Sequence, residues 1–192
     1  MTTTASPTRT VNGSSVPAAG TWSVDPGHAD VAFIGRHFML TKVRGRFTGV
    51  TGSVVIADHS EDSKLDVTID MASVSSGDQT RDDHLRSPDM FDVDAHPIAT
   101  YRSTSVAWSK DTGTVIGDLT IKDVTRPVLL RVEYLGHATD PSGNERAVFS
   151  ASANINREDW GLTWNMVLEA GGLLVSKEIR LEVEVETVLQ VV

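Results

Sequence analysis

The sequence predicts an all-β domain of about eight antiparallel strands with one or two short helices. Three observations carry that prediction. Between Glu178 and Glu186, Ile179, Leu181, Val183 and Val185 alternate with Glu or Arg without one exception, so one face is buried and the other wet. Clusters of turn formers, such as Asp58-His59-Ser60-Glu61-Asp62 and Asp140-Pro141-Ser142-Gly143-Asn144, separate segments of this kind at the short spacing of antiparallel neighbours. No segment keeps helical spacing long enough to supply the crossover helix that a parallel sheet needs.

The elements follow in chain order. Met1–Gly20 is rich in Thr, Ser, Ala, Pro and Gly, carries only Arg9 as a charged side chain and is expected to be a disordered tail, which leaves 21–192 as a single domain. Asn12-Gly13-Ser14 has the pattern of a glycosylation sequon but reads more simply as a flexible turn. Strand patterns run over Val31–Phe38, Arg44–Ala57, Lys64–Met71, Ile98–Trp108, Thr114–Lys122, Pro127–Gly136, Arg146–Ile155 and the final alternating segment. The polar block from Asp78 to Pro97 interrupts them as the least strand-like stretch of the chain, the first place expected to carry function. Thr80–Arg86 and Asn156–Trp164 are expected as short helices, the former with Thr80 as N-cap and Asp83 three residues on. Many antiparallel strands in one domain remove their edges by stacking as a sandwich or closing into a barrel. Val31-Ala32-Phe33-Ile34 and Val54-Val55-Ile56-Ala57, apolar on both faces, suit a strand with an interior on one side and a cover on the other.

Composition bounds the function. A chain of 192 residues hides roughly 70% of its unfolded surface, enough for a full core with no cofactor. Seventeen basic against 26 acidic residues give a net charge of −9, which repels phosphate backbones and anionic bilayers and argues against nucleic acid. The absence of cysteine removes disulfides, thiolate zinc sites and thiol nucleophiles. No apolar run is long enough to span a membrane or to serve as a secretion signal, so a cytoplasmic location is the default expectation.

No Gly-x-Ser-x-Gly elbow, phosphate-cradling glycine loop or His-Glu-x-x-His occurs, so no catalytic residue is assigned and the chain is not read as an enzyme. His84, Asp92, Asp94 and His96 are competent metal ligands, but an acidic turn is ordinarily just solvated, and no metal is assigned. His28 and His37 fall on opposite sides of a regular strand, and each reads as a hydrogen-bonded structural histidine. A helical turn puts Arg81 and His84 on one side with Leu85 inward. That pair suits a polar or anionic head group, or else belongs to a capped helix that closes one end of the domain. Trp160 and Trp164 read as packing.

Six motifs then occur in order: Asp25-x-x-His28 with Val31-x-Phe33 and His37; Val43-x-Gly45-x-Phe47; Arg81-Asp82-x-His84-Leu85; Met90-Phe91-Asp92-Val93 with His96-Pro97; Gly117-Asp118-Leu119-Thr120 leading to Val124-Thr125-Arg126-Pro127-Val128; and Ile155-Asn156-Arg157-x-x-Trp160-Gly161-Leu162. Together they resemble the YceI-like, polyisoprenoid-binding family from about Thr21 to Leu189. Two positions depart from the family pattern. Asp123 stands where glycine is common and suggests a different turn, and Met90 replaces a phenylalanine. The resemblance implies an extended eight-stranded antiparallel lipocalin-like barrel whose pore accommodates a long isoprenoid or quinone-type amphiphile. It implies binding, carriage or storage rather than catalysis, and is compatible with a homodimer. On that reading Phe33, Phe47 and Phe91 line the pore, and His28, Arg81 and His84 lie near the head group. Each buried CH₂ contributes about 0.8 kcal/mol, so roughly ten give about 8 kcal/mol, the scale of a micromolar complex. The alternatives are an enzyme acting on a prenyl lipid and a barrel with a filled interior that serves as a protein-interaction module.

Overall fold

The structure is a computed structural model that describes residues 7–11, 13–167 and 174–190. Its strands are β1 (Thr8–Val11), β2 (Ser14–Pro17), β3 (Gly20–His37), β4 (Thr41–Phe47), β5 (Val50–Ile56), β6 (Lys64–Asp70), β7 (Val74–Ser75), β8 (Ile98–Ser109), β9 (Thr112–Ile121), β10 (Val124–Thr139), β11 (Glu145–Asn156) and β12 (Glu178–Leu189). One α-helix, α1 (Gln79–Arg86), follows β7. Neighbours run β3–β5–β6–β8–β9–β10–β11–β12, all antiparallel, and β12 pairs back onto β3 from Arg180↔Ile34 to Leu189↔Trp22. Closure of these eight strands decides between barrel and sandwich, and β4 and β7 extend the sheet from the second half of β3.

Strand β3 is long enough to serve two partners. Its first residues pair with β5, and Val31 to His37 pair with β4. Alternation over Arg44–Ala57 predicts one strand, but Thr48-Gly49 breaks it in two. Opposite the break, Asp25-Pro26-Gly27-His28 bulges, because the Asp25 carboxylate accepts the Gly27 N–H at 3.0 Å and Pro26 has no N–H to give a neighbour. The register of β12 against β3 shifts at the same level, between Val185 and Thr187.

The remaining differences from expectation have identifiable causes. The segment Met1–Gly20, expected to be disordered, contains the β1–β2 hairpin, paired from Thr8↔Pro17 to Val11↔Ser14. Arg9 ties that hairpin down through an ion pair with Asp58 and a hydrogen bond to the Ala57 carbonyl. Asn12 of the sequon pattern lies outside the described residues. The cap of α1 is Asp78, whose carboxylate accepts the Arg81 N–H at 2.8 Å, and Thr80 lies inside the helix. Of Asn156–Trp164, only Arg157–Trp160 is helical, as a 3₁₀ turn that ends where Gly161 turns left-handed at φ 73°. Lys122 and Asp123 both have positive φ and join β9 to β10 in a two-residue turn of the kind that suits glycine. Asp123 adopts it with its carboxylate 3.1 Å from His96.

Apolar side chains fill the helix end of the barrel and pack around part of its other end. At the helix end, Phe33, Phe47 and Phe91 pack together with centroids 5.5–6.3 Å apart. Leu85 of α1 is buried in the same core, as is Trp160, whose indole N–H donates to the Leu119 carbonyl at 3.0 Å. At the hairpin end, Trp22, Tyr134 and Ala147 form a second buried cluster with Trp108 and Phe149 against it.

Candidate functional site

Between the two clusters the barrel is not filled. A cavity of about 470 Å³ remains, walled by inward aliphatic positions such as Val24, Val67, Val115, Leu130 and Val183. Alternation explains the wall. Leu181, Val183 and Val185 of β12 all face the cavity, while the intervening Glu182 and Glu184 face out. Ala151 adds to the space because it is small at a position where most neighbours are Val or Leu. Tyr101 is the polar side chain deep in the wall. Its hydroxyl lies 3.0 Å from the Val115 carbonyl and 3.1 Å from that of Val128, and burial raises its pKa, so it stays a neutral phenol.

The cavity reaches the surface at the hairpin end, under β1–β2. Val11, Val16 and Pro17 of the hairpin complete its lining, and the rim carries Arg9, Asp58, Ser60, Lys64 and Lys110. Arg9 is neutralised by Asp58 at 2.9 Å. Lys64 and Lys110 have no carboxylate within ion-pair distance among the described residues, so a mouth in an acidic protein presents two uncompensated cations. A more open hollow of about 780 Å³ lies on the outside of the barrel, bordered by Arg131, Glu133, Arg180 and Glu182. Its charges are of both signs, as on an ordinary solvated face.

None of the residues expected to form the site is among those lining this cavity. Phe33, Phe47 and Phe91 do come together, but as the packed plug at the helix end, and none of them lines the cavity. Their alternation correctly points them inward, yet it says nothing of depth along the barrel. His28 sits on the β3 bulge with Nδ1 2.9 Å from Asp25. Arg81 and His84 are on α1, beyond the plug. Arg81 donates from Nε to the Ser76 hydroxyl at 2.7 Å, and that serine also bonds the buried Asp82, so this cation fastens the helix to the chain before it. His84 packs edge-on against Trp164 at 4.2 Å. Of the four residues weighed as metal ligands, His96 pairs with Asp123 and His84 with Trp164, and they do not converge with Asp92 and Asp94.

Asp25, His28 and Glu186 do converge, with ligand atoms within 4.8 Å of one another. The cation among them is Arg146, which donates to Asp25 at 2.6 Å, to Asp140 at 3.0 Å and to Glu186 at 3.1 Å. Arg146 first and His28 second hold the Asp25 carboxyl down at about 2. Asp140 is likewise held at about 2, chiefly by the side-chain and backbone N–H groups of Asn144 and then by Arg146. This network staples the bulge of β3 to β11 and β12 on the outside of the barrel.

The family model described as YceI-like domain matches residues 22–187. The chain belongs to the YceI-like family. A UPF0312 protein of Staphylococcus aureus is 33% identical to this YceI-like chain over 168 residues, covering 86% of the chain and 95% of that protein. A solved YceI protein of Campylobacter jejuni superposes with a TM-score of 0.69 at 30% identity, over 81% of this chain and 90% of its own. A polyisoprenoid binding domain from Saccharophagus degradans, implicated in plant cell wall breakdown, shares the fold with a TM-score of 0.66 at 17% identity, over 88% and 98% of the two chains.

Two features of the cavity mouth in this YceI-like barrel are not legible in the sequence. The β1–β2 hairpin precedes the matched residues and carries no charge pattern to flag it. Lys64 and Lys110 begin a strand and follow one, ordinary places for lysine, and only the antiparallel pairing of β6 with β8 puts them at a common opening.

Proposed function

We propose that the protein binds, without chemical conversion, one long-chain amphiphile of the isoprenoid or quinone type, with its tail in the cavity and its polar head at the rim. The observation that carries this reading is the cavity itself: its volume of about 470 Å³ falls within the range of small-molecule sites, and its wall is mostly apolar, with polar residues gathered chiefly at the rim. A void of this size left empty forfeits packing contacts, so an occupant stabilises the fold as well as itself. The binding described for the Saccharophagus domain, which shares the fold, supports a polyisoprenoid as that occupant. Lys64 and Lys110 favour an anionic head group, and Arg81, fastened to Ser76, has no part in holding it.

Organic extraction of the purified protein followed by mass spectrometry tests the proposal. One prenyl or quinone lipid per chain is expected from the wild type, and none from Ala151→Phe, which fills the space with a ring. Absence of lipid from the wild type, together with no uptake of added prenyl lipid, would leave the barrel as an interaction module. A changed product after incubation with such a lipid would make it an enzyme.

A further inference from the structure

The turn between β3 and β4 is built from the wrong residues for a turn. Phe38 and Met39 both take left-handed conformations, φ 53° and 60°, with the Leu40 N–H bonded to the His37 carbonyl at 3.0 Å. That geometry favours Asn-Gly, and bulky residues adopt it at a cost in stability. The side chains recover only part of that cost by burial: the Phe38 ring packs on that of His37 at 4.1 Å, yet Phe38 is 49% exposed, Met39 53% and Leu40 78%. Met166 and Val167, 55% and 82% exposed, lie beside them, linked by the Phe38 N–H to the Leu174 carbonyl and the Leu174 N–H to that of Met166, both at 2.9 Å. Five large apolar side chains therefore project together from the helix end of the barrel.

Cations surround this tip. Arg36 and Lys42 are direct cross-strand partners, so two like charges share one face, and Arg46 follows on the same face of β4. Among the described residues none of the three has an ion-pair partner, and Arg36 donates to the Leu40 carbonyl, which draws its guanidinium toward the tip. We infer that this end of the barrel docks on an anionic lipid bilayer, with Phe38, Met39, Leu40, Met166 and Val167 entering the interface and Arg36, Lys42 and Arg46 resting on the head groups. A second copy of the chain is the poorer occupant, because a two-fold contact would press the same cations against each other. The net charge of −9 does not forbid docking: with a screening length of about 8 Å at physiological salt, the bilayer responds to the charges nearest it. The tip lies at the end of the barrel opposite the cavity mouth, so docking is independent of what the cavity holds.

Co-sedimentation of the full chain with phosphatidylcholine vesicles, with and without phosphatidylglycerol, tests this. The wild type is expected in the pellet with the anionic vesicles, and less so with phosphatidylcholine alone or at high salt. Phe38→Asn combined with Met39→Gly is expected to bind roughly tenfold more weakly while melting no lower than the wild type, because Asn-Gly suits the turn. Lys42→Glu with Arg46→Glu should lose only the preference for anionic vesicles, again by roughly tenfold. Wild type left in the supernatant with anionic vesicles, or Asn-Gly substitution without loss of binding, overturns the inference. So does a dimer in light scattering that this substitution splits and vesicles do not.

Discussion

Arg9 of β1 reaches across the cavity mouth to Asp58, in the connection between β5 and β6, at 2.9 Å, and so fixes a hairpin that precedes the residues shared with the family over the opening of the barrel. Asp58 is 85% exposed, and an exposed pair contributes at most about 1 kcal/mol. Asp58→Ala should therefore speed release of a fluorescent prenyl probe by no more than about fivefold. Removing residues 1–18 should speed it further, because Val11, Val16 and Pro17 leave the lining as well. Stopped-flow displacement reads both rates. Identical rates in all three proteins would mean that the hairpin does not gate the mouth.

The uncompensated lysines at the rim make a comparison between head groups informative. Lys64→Ala with Lys110→Ala should weaken a prenyl phosphate by roughly 1–2 kcal/mol and leave a prenyl alcohol nearly unchanged, whereas Arg81→Ala should change neither. Isothermal titration of each variant with both ligands checks this. A loss confined to Arg81→Ala would move the head group to the helix end.

Gly45 faces Phe33 across β3 and β4, and a Cβ there would overlap the phenyl ring. Gly45→Ala is expected to destabilise the protein by about 1–3 kcal/mol in urea unfolding. Adding Phe33→Leu, which vacates the overlap, should recover part of that loss, with a coupling of at least about 0.5 kcal/mol. Additive losses would place the strain of the alanine somewhere other than the ring.

The Arg146 network makes an acid-sensitive contribution. Because Asp25 sits at about 2 in the folded state against 3.8 ordinarily, its stabilisation is complete above the ordinary value and disappears as pH falls through about 2. Arg146→Met should lower the melting temperature at pH 7, and the difference from wild type should shrink between pH 4 and about 2 as Asp25 takes up its proton in both proteins. A difference that stays constant over that range would assign the effect of Arg146 to packing instead.

What is legible in the sequence is what depends on neighbouring residues. The inward face of β12 is legible because a strand's side-chain period is local, and each of Leu181, Val183 and Val185 does face the cavity. The β1–β2 hairpin is not legible. It folds back because Val11, Val16 and Pro17 cover the cavity and Arg9 finds Asp58 and Ala57, partners far away in sequence. The break at Thr48-Gly49 is hidden for a similar reason, since it answers a bulge in β3 rather than anything in its own alternation.

For this protein the sequence by itself determined the all-β class, the antiparallel strands and which side of each strand is apolar, all consequences of spacing between neighbouring residues. Only the tertiary structure decided where along the barrel each inward side chain lies. Depth depends on register between strands distant in the chain. That register makes Phe33, Phe47 and Phe91 a plug, leaves the space beside Ala151 open, and puts Lys64 and Lys110 at one mouth.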